Sequence, residues 1–413
     1  MTSQVNRTFC EADFTADFDD IFEAVDQLQQ LEVELNGLFP GRKFLIHQMI
    51  LAVLMRMNVL IYGIYGTGKS ALIKQFFQGL GVKDEEFFAI ELTRFTTESD
   101  IFGATDVPAM RDHAIQRRNP AGSIRKALFA DIGEIFDAMH LLRGMHGILN
   151  ERYYSRGVDH GPVPLHTAVA STNISPTDLL KKYPEGDAVL DRFLFQCRVG
   201  WLQDENDLLA MFGNFREGLT PETEVDHDKL LTAARLVTSP TDQIDPKLMP
   251  IFVKVVMAIR EADPTRKFSD RALCLWLNVL EANAILNKRY SVQLSDFLAL
   301  KYVVTNGYDE ELDVQFDDVV VPIVEEAIEQ MQAMNIDDAL VMAMESIEDN
   351  WPAVPSTTTS PSDLVIMRRQ FEAFRQTVST MKPELPATQV MIDRLAAKID
   401  DQIDELDELI VKG

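Results

Sequence analysis

The residues best suited to chemistry begin with Gly63-Ile64-Tyr65-Gly66-Thr67-Gly68-Lys69-Ser70, with Ala71 directly after. Gly-x-x-x-x-Gly-Lys-Ser is the pattern of a phosphate-binding loop. Glycines let the backbone turn tightly and aim its N–H groups inward, the lysine reaches the β- and γ-phosphates, and the serine hydroxyl can hold Mg²⁺. An apolar strand, Val59 to Tyr62, precedes the loop, and a helical run to Leu80 follows it, so a positive helix N-terminus points at the anion. The cofactors this implies are ATP and Mg²⁺.

Further candidates fall at the ends of later apolar segments. Ala127-Leu128-Phe129-Ala130-Asp131 has the form of a Walker B strand, in which Asp131 would hold Mg²⁺ alongside Ser70. Glu134, just beyond, is the candidate base for polarising the attacking water. Asn173, closing Ala170-Ser171-Thr172-Asn173, is placed to touch that water or the γ-phosphate. In Leu190-Asp191-Arg192-Phe193, Arg192 can project across a subunit boundary, where a trans arginine is worth about 10³ to 10⁵ in rate.

These positions need a scaffold, and the hydrophobic pattern supplies one. Apolar residues at Phe18, Ile21, Phe22, Val25, Leu28, Leu31 and Leu35 predict a helix over 17–35, and a second helix over 43–56 leads into the loop strand. Strands are predicted at 87–92, 128–131, 167–171 and 194–199, separated by helical segments. That alternation predicts crossover units and a parallel sheet covered on both faces. After Trp201 the strand signal stops. Helices near 204–214, 226–237, 245–262, 269–287 and 294–304 predict a smaller all-α domain. Two acidic helices are expected over 309–349, a Pro/Ser/Thr-rich linker at 350–363, and a helical hairpin at 364–413. The boundaries are therefore an α/β domain over 1–200, a helical lid over 201–308, an acidic extension over 309–349, the linker and the hairpin.

Composition excludes several classes. The 413 residues suffice for two or three domains, and 46% hydrophobic with 25% charged residues is ordinary globular usage. A net charge of -26 argues against a nucleic-acid partner, because phosphate contacts need clustered Lys and Arg. Cys10, Cys197 and Cys274 are scattered and odd in number, which fits a cytoplasmic location better than a disulfide framework. His140 and His146 are six apart, the wrong spacing for a helical metal pair. The apolar stretch from Met49 to Tyr65 is broken by Arg56 and Asn58 and falls short of a membrane span.

The order of these motifs resembles the MoxR-type AAA+ ATPases, closest to their RavA branch. It runs from the phosphate loop through Leu92 to Gly103, the Walker B strand, Asn150-Glu151-Arg152, Ala-Ser-Thr-Asn and Leu-Asp-Arg-Phe to Phe268-Ser269-Asp270-Arg271-Ala272-Leu273 and Leu294 to Lys301. The resemblance covers roughly residues 25 to 310. It implies an AAA+ fold, ATP hydrolysis and a homo-oligomeric ring, a hexamer, that remodels a protein client, often one with a von Willebrand A domain. Arg192 then looks like the arginine finger, and Arg271 like a lid arginine sensing the γ-phosphate of its own subunit. Residues 107–125 correspond to the helix-2 insert and 152–164 to the hairpin before the sensor strand. There are two departures from the family pattern. Ile64 and Tyr65 stand where the family often has prolines, and the family's Walker B has Glu directly after Asp, whereas Ile132 and Gly133 intervene here. The second predicts slow turnover, or a nucleotide-binding scaffold if Glu134 cannot reach the site; a nucleic-acid-directed motor is the further alternative.

Overall fold

The computed structural model describes residues 18–113, 117–238, 244–263, 268–349, 351–352, 361–383 and 386–412. Cys10 and most of the expected linker at 350–363 lie outside these residues. The chain divides into two compact units, 1–321 and 322–413.

In the first unit, helix α1 (Phe18–Leu38) and helix α2 (Lys43–Leu54) lead into β1 (Val59–Tyr62), which runs through the loop to α3 (Lys69–Gly79). Then come β2 (Phe87–Glu91), α4 (Glu98–Phe102), α5 (Val107–His113), β3 (Phe129–Gly133) and α6 (Met139–Leu149). A hairpin of β4 (Tyr153–Arg156) and β5 (Asp159–Pro162) precedes β6 (Thr167–Thr172), α7 (Pro176–Lys182), α8 (Asp187–Leu190) and β7 (Phe195–Arg198). The lid helices are α9 (Glu205–Glu217), α10 (His227–Thr238), α11 (Met249–Ala262), α12 (Asp270–Leu286) and the short α13 (Lys301–Val304). α14 (Glu310–Asp349) runs on into the second unit, where α15 (Pro361–Ser379) and α16 (Pro386–Lys412) follow.

The five-stranded sheet has the order β2-β3-β6-β1-β7, all parallel, so each connection is a crossover, as the alternating pattern predicts. Strands β1 and β6 are buried on both faces and read as continuous apolar or small runs for that reason. The core on one side of the sheet joins Phe102 of α4, Leu142 and Ile148 of α6, Tyr154 of β4 and Leu179 of α7. The helix over 17–35 is present, and its stripe of Ile21, Val25, Leu28, Leu31 and Leu35 is fully buried.

Two expectations need correcting. Residues 310–349 form one continuous helix instead of two, with Pro322 inside it. A proline costs a helix about 3 kcal/mol, which marks it without ending it, and the two compact units divide at this residue. The third strand also continues past Asp131 to Gly133, so Asp131 does not end it. In the second unit, Phe371, Val378, Ile392, Leu395, Ile399 and Leu406 of α15 and α16 close an apolar seam with Met344 and Ile347 of α14.

Candidate functional site

The loop between β1 and α3 has the left-handed glycines its spacing requires. Gly63 has φ 140, and a Cβ there would stand 2.0 Å from the carbonyl oxygen of Val199, so only glycine fits. Gly66 and Gly68 have φ of 72 and 80, and Gly68 caps the N-terminus of α3. The Lys69 ammonium folds back onto the loop, donating to the carbonyls of Gly63 and Ile64 at 2.9 Å each and to Asn173 Oδ1 at 3.2 Å. Burial lowers its pKa and the charge of Glu134 offsets part of that. Tyr65 and Ser70 are exposed at the mouth of the loop.

Glu134 is reached directly from the sheet. Because Gly133 belongs to β3, Glu134 is the first residue beyond the strand, at φ 47 and ψ 47. That left-handed conformation costs a non-glycine residue about 1–2 kcal/mol, a strain that clusters at functional sites. It turns the carboxylate toward β6, where Oε1 accepts from Asn173 Nδ2 at 2.5 Å. Lys69, Asn173 and Glu134 thus form one chain of contacts at the open end of the sheet. Burial raises the pKa of Glu134 above the usual 4.5, against the lowering effect of the Asn173 N–H.

Asp131 stands elsewhere. It pairs with Ala89 and Val169, and Val169 pairs with Val59, the first residue of β1. Along the sheet that is four residues short of Gly63, or about 13 Å. Burial, then the nearby charge of Glu91, pushes its carboxyl up to about 6. Glu91, at the end of β2, is level with Gly133 and received no role from the sequence; only strand register reveals it.

The two arginines gather at the opposite edge of the sheet. Arg192 precedes Phe195, which pairs with Val59, and its carbonyl accepts from Asn58 Nδ2 at 3.1 Å, just before β1. Its guanidinium donates to the Ala188 carbonyl and lies 3.9 Å from Asp191. Arg271, in the first turn of α12, donates to Asp191 Oδ2 at 3.1 Å, and Ser269, the N-cap of that helix, donates to Asp191 Oδ1 at 2.6 Å. Burial and then the Arg192 charge beside it oppose the Asp191 attraction on Arg271. The expectation that Arg271 reaches the γ-phosphate of its own subunit does not match this arrangement: Asp191 holds the lid motif at the edge from which β1 and β7 start. Arg152, from Asn150-Glu151-Arg152, is buried there too, donating to the carbonyls of Ile148, Leu149, Arg56 and His166. Burial, then the charges of Arg56 and Arg271, lower it to about 9 against the pull of Glu151, and its carbonyl contacts make it a bracket for the turns.

Among the described residues no group of His, Cys, Asp and Glu could hold a metal ion without help. An exposed serine beside a phosphate cradle instead suits a metal brought in with its nucleotide. No described helix is long and apolar enough to cross a membrane.

Comparison with known proteins shows what the chain resembles. Residues 26–233 match the model of the MoxR domain in the MoxR-vWA-beta-propeller ternary systems, and residues 249–316 match an AAA lid domain. Two uncharacterized proteins of Methanocaldococcus jannaschii are similar: one is 25% identical over 71% of this chain and 73% of its own length, the other 26% over 68% and 72%. The chaperone MoxR1 of Mycobacterium tuberculosis is 26% identical over 48% of this chain and 50% of its own. A crystal structure from Cytophaga hutchinsonii superposes with a TM-score of 0.55 at 18% identity, covering 74% of this chain and 96% of that one, which speaks to the fold alone.

Proposed function

The chain belongs to the MoxR family of AAA+ ATPases, and from that premise we propose that it hydrolyses Mg-ATP in a homo-oligomeric ring and uses the work to remodel a protein client. The contact chain Lys69–Asn173–Glu134 carries this reading, since it sets a cation, a polar orienting group and a carboxylate side by side at the mouth of the phosphate loop. The N–H groups of residues 63–71 and Lys69 would hold the phosphates, and Ser70 the Mg²⁺. ATP supplies the phosphoanhydride bond, and Mg²⁺ screens its charge. Glu134 takes the proton from the attacking water while Asn173 fixes the direction of its carboxylate.

Arg192 and Arg271 stand more than about 13 Å from that loop along the sheet, so in this reading they act on the nucleotide of a neighbouring subunit. The RavA-like lid motif then contributes in trans with the finger, and a ring, a hexamer by the family habit, follows from the mechanism. The description of the matched model supports a von Willebrand A-domain protein as partner.

The test is steady-state phosphate release under assembling conditions, parent against Lys69→Ala, followed by capture of bound protein from the native host on a Glu134→Gln trap. Turnover in the parent and none in Lys69→Ala supports the reading. Nucleotide binding with no turnover would leave a scaffold that ATP cements.

A further inference from the structure

The register of the sheet leaves a gap where the Walker B aspartate of the family would stand. Side chains on β3 alternate, so Asp131 and Gly133 share a face, and Glu134 follows Gly133 as the family's glutamate follows its aspartate. Ile132 pairs with Ala170, which pairs with Leu60; Gly133 is therefore one step nearer the phosphate loop, level with Ile61. Asp131 lies one full pleat further back, about 7 Å along the strand. At Gly133, the last residue of β3 and the one nearest the phosphate loop, the strand offers no side chain.

Glu91 fills that space from the neighbouring strand. It is the register partner of Gly133, and the N–H of Leu92 donates to the Gly133 carbonyl at 2.8 Å, which fixes the pairing just beyond it. Its side chain lies across Gly133: a Cβ built on Gly133 would meet Glu91 Cγ at 3.4 Å and Cβ at 3.6 Å. Glutamate is one methylene longer than aspartate, and that length lets a residue on β2 cover a position on β3. Its charge is also felt on both flanks, raising the pKa of Asp131 and of Glu134.

We propose that Glu91, and not Asp131, is the carboxylate that with Ser70 would help position the nucleotide-bound Mg²⁺ in this protein. The role has moved from one strand to the next, with Gly133 as the vacancy that admits it. This rests on the Mg-ATP reading of the loop.

The experiment is equilibrium binding of a fluorescent non-hydrolysable ATP analogue to the full chain, titrated with Mg²⁺ and repeated in EDTA. Glu91→Gln keeps the side-chain length and removes the charge. It should raise the Mg²⁺ concentration needed for tight binding at least about 10-fold, the scale of losing an outer-shell partner, and leave affinity in EDTA near the parent's. Asp131→Asn should leave the Mg²⁺ requirement unchanged. The double variant Glu91→Ala with Gly133→Asp should recover it, since Gly133 has no positive φ and its nearest neighbour is the side chain removed. A parental Mg²⁺ requirement in Glu91→Gln would overturn the proposal, as would an equal shift in Asp131→Asn, or a folded double variant no better than Glu91→Gln. A parent whose nucleotide binding ignores Mg²⁺ would overturn the ATPase reading, and this proposal with it.

Discussion

Replacing Glu134 by glutamine tests the catalytic reading most directly, because the structure separates what the change removes from what it keeps. The amide retains a carbonyl oxygen to accept from Asn173 Nδ2, so the bond at 2.5 Å survives and Asn173 stays beside Lys69 at 3.2 Å. Backbone strain at φ 47 is the same for both residues. What disappears is one negative charge and the second acceptor oxygen, which takes the Asn173 backbone N–H at 3.4 Å. Lys69, which now shares its charge with Glu134, should hold the nucleotide at least as tightly. Loss of general-base assistance should cut the single-turnover rate by at least about 10²-fold, or about 2.7 kcal/mol of barrier. A pH profile sharpens the test. Burial raises the pKa of Glu134 above 4.5, and a base works only when deprotonated. The parent's rate should therefore fall on acidification with a midpoint above the ordinary glutamate range, and that limb should vanish in Glu134→Gln. An unchanged rate in a variant that binds Mg-ATP normally would refute the assignment of the base, and an unchanged acid limb would assign the titration to another group.

Three other outcomes are expected. Gly63→Ala drives a methyl group against the Val199 carbonyl and should destabilise the protein by about 1–3 kcal/mol and abolish binding of the ATP analogue, as read by thermal melting and fluorescence. Arg192→Ala should bind nucleotide yet lose turnover, and mixing it with Lys69→Ala in subunit-exchanging conditions should restore phosphate release, because each subunit brings the half that the other lacks. Glu281, buried in α12 at 8% exposure, is pushed up to about 7 by burial. A raised carboxyl keeps its proton in the folded state, so the contribution of Glu281 to stability is fullest below pH 4.5 and is lost as pH rises through about 7. Glu281→Gln should thus stabilise at pH 8 by up to about 3 kcal/mol and change little at pH 4, measured by urea midpoints at both values.

The phosphate loop was legible in the sequence because its chemistry is local: glycine spacing, one lysine and one serine suffice when a strand precedes and a helix follows. The five strands and the lid helices were legible for a similar reason, since burial on two faces or on one stripe writes itself into hydrophobic periodicity. Glu134 and Asn173 could be named from their places after strands, although their mutual bond could not. Register was the missing quantity. Which residue of β3 stands level with the loop depends on how strands distant in sequence pair, and a shift of two residues preserves the face of every side chain, so the apolar pattern is indifferent to it. Asp131 was read as the strand end on that pattern, whereas the ladder carries β3 to Gly133 and brings Glu91 alongside. The lid posed the same difficulty. Ser269 and Arg271 were recognisable as a motif, but only the bonds from the N-terminus of α12 to Asp191, at the end of α8, bring that motif beside Arg192. Sequence fixes what each segment can be, and the contacts between segments decide which carboxylate and which arginine share a site.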